Sequence, residues 1–196
     1  MWEKIKHNFK LRVSGFGLRG GFTLIEMLVV LFVVAVISSL LIASYRTGQK
    51  QYALDEAAQN LVSDLRLVQS MAMSGTGIYQ SYYNYGIYFK KNASSYQLFG
   101  DKDNDCFYTS TGDPDQRDTV IETTQLPQNV IIAQVSPAVT PPGLHVCFAP
   151  PAPTTYFNQV NNPSSVPQAS ITIRYGSDAA LVKTVIINSA GAVKVQ

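Results

Sequence analysis

A single carboxylate lies inside an apolar run that is long enough to cross a membrane. Glu26 is the only charged residue in the segment 22–43. About 20 apolar residues span the hydrocarbon core of a bilayer, so this run predicts a membrane-spanning helix. A charged side chain within such a helix costs roughly 2.5 to 3.5 kcal/mol on insertion scales and normally has a partner. Glu26 is therefore a candidate functional residue.

Simpler interpretations of this run leave part of it unexplained. A cleaved secretory signal should end in a small-x-small site, whereas the bulky Leu41 stands two residues before Ala43. A plain membrane anchor accounts for the length, but not for Glu26 or for the Gly20-Gly21 pair before the run. A buried core helix would rarely be apolar on all sides over such a length.

The residues before the run are basic. Residues 1–21 contain five Lys or Arg side chains and one Glu. A basic flank before an apolar span stays on the cytoplasmic side of the membrane. The sequence therefore predicts a single pass, with the N-terminus in the cytoplasm and the C-terminal part outside.

The chain after the apolar run divides into a helical part and a strand-rich part. Residues 44–75 continue the helix in amphipathic form, because apolar residues recur at spacings of three and four, at Leu54, Ala58, Leu61, Leu65, Val68 and Ala72. Gly75 and Gly77 supply the stop. Residues 76–196 predict eight short strands between turn-forming residues, at 85–90, 95–99, 119–123, 130–135, 144–148, 169–175, 180–188 and 192–195.

A helix followed by strands predicts an α+β fold. We expect the amphipathic half of the helix to pack on one antiparallel β-sheet formed by the outward part of the chain. The proline-rich stretches 137–142 and 150–167 are predicted to be loops, and neither is long enough to separate a second domain.

The start of the apolar run resembles a known family. Gly21-Phe22-Thr23-Leu24-Ile25-Glu26 is similar to the processing site of type IV pilins and pseudopilins. The resemblance implies that prepilin peptidase cuts between Gly21 and Phe22, removes residues 1–21 as a leader and N-methylates Phe22. It also implies that residues 22–43 form a filament-core helix. In such a bundle the new ammonium group at Phe22 can pair with Glu26 of a neighbouring subunit and so set the axial register.

A finer resemblance involves the C-terminal end. Residues 184–195 are similar to the closing hairpin of GspH/FimT-type minor pseudopilins and minor pilins, in which a turn containing asparagine and glycine joins two strands. The resemblance implies a pilin-like fold and a structural subunit, not an enzyme, of a type IV pilus or a type II secretion pseudopilus. A major pilin of a type IV fibre is one alternative, and a non-polymerising, single-span membrane-anchored binding domain is the other.

The resemblance also implies partners and a location. The partners are other pilin or pseudopilin subunits, prepilin peptidase and the inner-membrane assembly platform. The location is the inner membrane before assembly and the pilus or pseudopilus afterwards. DNA binding stays open but is weakly motivated, because the Lys and Arg residues of the outward part are not concentrated in one run.

Two features of the outward part are candidates for a covalent and a ligand site. Cys106 and Cys147 are the only cysteines, and export favours a disulfide between them, with two buried free thiols as the alternative. Asp101, Asp103 and Asp105 occur at alternate positions and could present carboxylate oxygens to one calcium ion. Further carboxylates could contribute from the following turn, at Asp113, Asp115 and Asp118. The alternative is a solvated turn in which these side chains bond to the local backbone. No other cofactor is expected, and no catalytic motif is present.

Overall fold

The computed structural model describes residues 21–74, 82–110, 117–138, 143–150, 154–158 and 167–196, with only the backbone described at 40–44 and 46. The described residues form one helix and nine strands: α1 Leu24–Ser74, β1 Asn84–Lys90, β2 Ser95–Asp101, β3 Thr119–Gln125, β4 Val130–Ser136, β5 Gly143–Ala149, β6 Thr154–Phe157, β7 Gln168–Tyr175, β8 Val182–Asn188 and β9 Val193–Val195. The chain divides into two compact units, residues 1–44 and 45–196. The predicted helix stop at Gly75 and Gly77 lies outside the described residues.

The first unit contributes the beginning of α1. All of its described side chains, at residues 21–39, are exposed, and most of them are apolar. In the part of the chain that the structure describes, no helix combines the length and the apolar character that a membrane-spanning helix requires.

The second unit is built around the amphipathic part of α1. One face of this part is buried, at Leu54, Ala57, Ala58, Leu61, Leu65, Val68 and Ala72. These side chains belong to the same hydrophobic core as Ile87 and Val146 from one sheet and Ile171 and Val185 from another. The predicted α+β fold, a long helix packed on antiparallel β-structure, is therefore confirmed.

The β-structure consists of two sheets, so the prediction of a single sheet is wrong. Sheet A has the strand order β3-β2-β1-β5-β6, and sheet B has the order β4-β7-β8-β9. All neighbouring strands are antiparallel. The chain leaves sheet A after β3, enters sheet B with β4 and returns to sheet A with β5. Strand patterns in the sequence mark where strands occur but do not specify which strands pair, because pairing depends on long-range packing.

Each of the eight predicted strands is present, with ends that differ by no more than two residues. The strand β6, Thr154–Phe157, is additional and lies in the stretch 150–167, which was expected to be a loop. Three prolines precede it, at positions 150, 151 and 153. Proline is tolerated beside an edge strand, and β6 pairs on one side only, with β5. Because of these prolines the sequence predicts a loop, although a short edge strand follows them.

Sheet A buries side chains on both of its faces. Its inner face includes Ile87, Phe89 and Leu98, which join the hydrophobic core that contains α1. Its outer face carries the alternate positions, among them Phe99 and Cys147, which are also fully buried. A strand that is buried on both faces lacks the alternation of apolar and polar residues that marks a half-buried strand.

Glycines allow aromatic rings to lie directly on the outer face of sheet A. A Cβ atom at Gly86 would lie 2.5 Å from Cζ of Phe99 and 2.9 Å from the carbonyl oxygen of Val146. In the same way, the ring of Tyr88 covers Gly143 on this face, and on the inner face the ring of Tyr82 covers Gly100. At these positions any larger residue would have to displace the ring above it.

Candidate functional site

The N-terminus of α1 is capped by a side chain. The backbone N–H of Glu26 donates to Oγ1 of Thr23 at 3.2 Å, and the N–H of Met27 donates to the Thr23 carbonyl oxygen at 3.2 Å. Threonine followed three residues later by glutamate is a known signature of a helix start. The predicted site does not include Thr23, although this spacing could have indicated its role. The cap fixes Glu26 in the first helical turn, where the helix dipole stabilises an anion.

Glu26 lies among exposed apolar side chains in the first unit. Phe22 is 75% exposed, and Leu24, Ile25 and Met27 are each more than half exposed. Glu26 is itself exposed and forms no ion pair within the described part of the chain. The structure thus brings Phe22 and Glu26 to the same end of one helix, in a segment whose described side chains are exposed and mostly apolar.

The predicted acidic site lies in the second unit, where residues 102–109 form a loop that we call the acidic loop. It follows β2 directly, and its Cys106 joins Cys147 of β5 in a disulfide bond, as predicted. The Cα atoms of the two cysteines are 5.6 Å apart, and both side chains are fully buried. Because β1 lies between β2 and β5 in sheet A, this bond ties the acidic loop across β1.

Asp101 organises the first half of the acidic loop. Its Oδ1 accepts the N–H of Asn104 at 2.8 Å, and its Oδ2 accepts the N–H of Cys106 at 3.0 Å. Oδ2 also accepts a hydrogen bond from Nδ2 of Asn84 at 2.7 Å. The carboxylate is completely buried, and these three donors compensate for the lost solvation.

Asp118 and His145 organise the second half. Asp118 accepts the N–H groups of Lys102 at 3.1 Å and Thr109 at 2.8 Å, one at each carboxylate oxygen. Nδ1 of His145 accepts the N–H of Tyr108 at 2.9 Å, which requires the imidazole to be unprotonated at that nitrogen. The loop is thus held at both ends by buried side chains of other segments.

Burial shifts the pKa values of these acceptors in opposite senses. It raises the pKa of the Asp118 carboxyl to about 6, against the lowering effect of the hydrogen bonds from Thr109 and Lys102. It also raises the pKa of Asp101, against hydrogen bonds from Asn84 and Cys106. Burial lowers the pKa of His145 to about 4. In each case the low-dielectric surroundings disfavour the charged form.

The three carboxylates predicted to bind calcium lie close together, but they already accept hydrogen bonds from backbone N–H groups. One carboxylate oxygen from each of Asp101, Asp103 and Asp105 lies within 4.8 Å of the others. Both oxygens of Asp101 accept hydrogen bonds from the protein, and one oxygen of Asp105 accepts the N–H of Phe107 at 2.7 Å. These contacts are those of a turn in which Asp side chains bond to the local backbone. Calcium binding stays a prediction.

The sequence indicates Asp118 only as a further carboxylate that could contribute to the calcium site, and His145 belongs to no predicted site. Asp118 lies 13 residues beyond Asp105 in the sequence, and its hydrogen bonds with the N–H groups of Lys102 and Thr109 could not be predicted. His145 is the only histidine in the part of the chain that the structure describes, and it lies in β5. A buried histidine in a strand carries no sequence signal for the loop that covers it. Both roles depend on long-range contacts.

Comparison with known proteins gives one match at the N-terminus and one across the fold. The model of the prokaryotic N-terminal methylation motif matches residues 14–42. The crystal structure of the type IV minor pilin FimU from Pseudomonas aeruginosa is similar to 73% of this chain and to 87% of that chain, at 15% sequence identity and a TM-score of 0.46. No curated protein sequence matches this chain.

The methylation motif includes Gly21, Phe22 and Glu26, the residues that the sequence singles out. Its match begins in the basic segment and ends within the apolar run, so it includes the predicted cleavage position between Gly21 and Phe22. The chain therefore carries a type IV prepilin motif, which confirms the predicted resemblance to type IV pilins and pseudopilins.

Proposed function

We propose that this chain is a structural subunit, a minor pilin or pseudopilin, that prepilin peptidase processes and that assembles into a type IV pilus or a type II secretion pseudopilus. The observation that carries this proposal is the methylation motif over residues 14–42. The matched residues include the capped start of α1, where Glu26 is the only charged residue among exposed apolar side chains. Such a surface suits packing against other apolar helices.

The proposed role of Glu26 is to set the register of assembly. Cleavage after Gly21 creates an ammonium group on Phe22, at the same helix end as Glu26. In a bundle of staggered helices, the ammonium of one subunit can lie beside the carboxylate of the next. Removing one partner of a buried ion pair costs roughly 3 to 5 kcal/mol, because the other charge is left uncompensated. An axial register that separates the ammonium from the carboxylate leaves both charges uncompensated, so it is disfavoured by a similar free energy.

Before assembly, the same segment would hold the subunit in the inner membrane. Residues 22–43 contain no charge other than Glu26, and the basic residues before them favour a cytoplasmic N-terminus. The second unit, residues 45–196, would then face outward. Prepilin peptidase and an inner-membrane assembly platform are the partners that this proposal requires. DNA binding is not part of it and stays a prediction.

Replacing Glu26 with alanine tests the assembly role. In cells that carry the full assembly machinery, we expect Glu26→Ala to accumulate in the membrane as a processed protein and to fall at least tenfold in the sheared or purified filament fraction. Glu56→Ala is the matched control, because Glu56 is an exposed glutamate of α1 in the second unit. We expect this control to enter filaments normally.

Three outcomes separate this proposal from its alternatives. Normal incorporation of Glu26→Ala would contradict the role of the carboxylate. A wild-type chain that is never found in filaments would favour a non-polymerising anchored binding domain. A wild-type chain that makes up most of the filament mass would identify a major pilin.

A further inference from the structure

Three turns meet at one end of the second unit. They join β1 to β2, β3 to β4 and β7 to β8, at residues 91–94, 126–129 and 176–181. The N–H of Leu126 donates to the carbonyl oxygen of Ser94 at 2.8 Å, and the N–H of Gly176 donates to that of Asn129 at 2.6 Å. The three turns therefore form one continuous surface.

The helix of the second unit begins at the same end. Nζ of Lys50 in α1 lies 5.9 Å from the centroid of the Tyr175 ring. The Oη atom of Tyr175 in turn accepts a hydrogen bond from Nδ2 of Asn129 at 3.4 Å. We call the three turns, together with Lys50, Lys90, Arg174 and Tyr175, the basic end.

The basic end has an excess of positive charge. Among the described residues of this region, Asp178 is the only carboxylate, and the cations are Lys50, Lys90, Lys91 and Arg174. Lys90 and Lys91 are both exposed at the tip of the β1–β2 hairpin. Lys183, at the start of β8, is already paired with Asp55 of α1. The four cations of the basic end are thus opposed by one carboxylate.

The opposite end of the second unit is acidic. In β1, Lys90 lies at the basic end and Asn84 lies six residues away, a distance of about 20 Å along a strand. Nδ2 of Asn84 donates to Oδ2 of Asp101 at 2.7 Å, so the acidic loop lies at the far end. The described charges there are Asp101, Asp103, Asp105 and Asp118 with Lys102 and Arg117. Charge is therefore segregated along the second unit.

The helix residues that lead into the basic end suit a membrane interface. Tyr45 and Tyr52 are 67% and 77% exposed. Residues 27–54 contain no Asp or Glu, and their only cations are Arg46 and Lys50. Tyrosine is enriched where a membrane meets water, because its ring is apolar and its hydroxyl is polar. Lys and Arg near a membrane surface are attracted to anionic lipids.

We propose that the basic end is a docking surface for anionic phospholipid headgroups, on which the second unit rests before assembly. This inference rests on the proposed function, because the apolar run 22–43 must hold the chain in the membrane. Each cation that reaches the headgroups strengthens docking about fivefold. The acidic end is repelled by the same surface, so the docked unit has one orientation. A lipid surface is favoured over nucleic acid because the cations lie where the helix follows the apolar run.

Quenching of a single tryptophan by nitroxide-labelled lipid headgroups tests this contact. Trp2 is the only tryptophan of the chain, so the full chain with Trp2→Phe is a background without tryptophan. Ser177→Trp then places a reporter in an exposed turn of the basic end. Tyr83→Trp places one at the acidic end, where Tyr83 is 63% exposed and its N–H donates to the carbonyl oxygen of Asp101.

Each chain would be reconstituted into neutral vesicles of phosphatidylcholine and into anionic vesicles that also contain phosphatidylglycerol. We expect the anionic lipid to increase the quenching of Ser177→Trp at least about twofold. Salt at about 1 M should remove this increase, because it reduces the Debye length to about 3 Å. The quenching of Tyr83→Trp should be the same in both kinds of vesicle.

Two double variants of the Ser177→Trp chain test which cations are responsible. Lys90→Gln with Lys91→Gln should weaken docking about 25-fold and abolish most of the increase. Lys102→Gln with Lys194→Gln is the matched control, because it removes the same charge outside the basic end. We expect this control to retain the increase. An equal loss in the two double variants would overturn the proposal, since net charge alone would then explain the effect.

Flotation with the vesicles separates this proposal from the proposed function. A chain that floats with both kinds of vesicle, but whose Ser177→Trp quenching is independent of anionic lipid, would overturn the docking surface alone. A chain that floats with neither would contradict the membrane location and the docking surface together. If quenching is independent of anionic lipid and the chain in micelles binds duplex DNA through Lys90 and Lys91, the basic end is a nucleic-acid surface and the proposal is wrong.

Discussion

Sheet B and the outer face of sheet A are built in different ways. In sheet B, buried Ile171 and Ile173 alternate in β7 with the half-buried Thr172, which pairs with Thr184 of β8 through their hydroxyls at 3.1 Å. In sheet A, the six residues from Gly143 to Phe148 in β5 are all buried. The difference arises because the acidic loop forms an additional layer on sheet A. The alternation of apolar and polar residues identifies the solvent-facing side of a strand only where no further segment of the chain covers that side.

The disulfide should make the largest contribution to this additional layer. Replacing both Cys106 and Cys147 with alanine removes a bond between residues 41 positions apart. The chain-entropy model predicts a loss of about 4 kcal/mol in the free energy of unfolding for a loop of this length. Urea denaturation of the full chain in micelles would measure the loss, and reduced wild type should match the double variant. A loss below about 1 kcal/mol would indicate that the additional layer contributes little to stability.

A methyl group at Gly86 should have the next largest effect. It would collide with the ring of Phe99 and with the backbone at Val146, so we expect Gly86→Ala to lower the free energy of unfolding by about 1 to 3 kcal/mol. Gly48→Ala is the matched control, since nothing lies within 4 Å of a Cβ at Gly48 in α1. This change should instead stabilise the chain by about 1 kcal/mol. Equal effects of the two substitutions would contradict close packing on the outer face of sheet A.

The ion pair between Lys183 of β8 and Asp55 of α1 should have the smallest effect. Its side chains are 35% and 42% exposed, so solvent weakens the attraction. We expect Lys183→Met to change the free energy of unfolding by less than about 1 kcal/mol. The same denaturation experiment measures this change. A loss comparable to that of the disulfide variant would show that sheet B also depends on a specific polar contact at its surface.

Prediction from the sequence succeeds for single elements and fails for the layer that covers sheet A. The helix could be predicted from its one buried face, as at Leu61 and Leu65, and strands of both sheets could be predicted from their β-branched and aromatic residues between turn residues. The disulfide could be predicted because only two cysteines exist. The layer over sheet A could not, because it depends on Asp118 and His145 meeting a loop that is distant from them in the chain. Phe22 and Glu26 were recognised from a local motif, which does not require knowledge of the fold.

Mass spectrometry of the chain purified from its native membrane is the decisive test of the proposed processing. We expect a polypeptide that begins at Phe22, lacks residues 1–21 and carries one additional methyl group on its N-terminal nitrogen. The same product should be absent from cells without prepilin peptidase. A chain that begins at Met1 in cells with an active peptidase, and that retains the Gly21–Phe22 bond, would contradict the proposed processing and the assembly that depends on it.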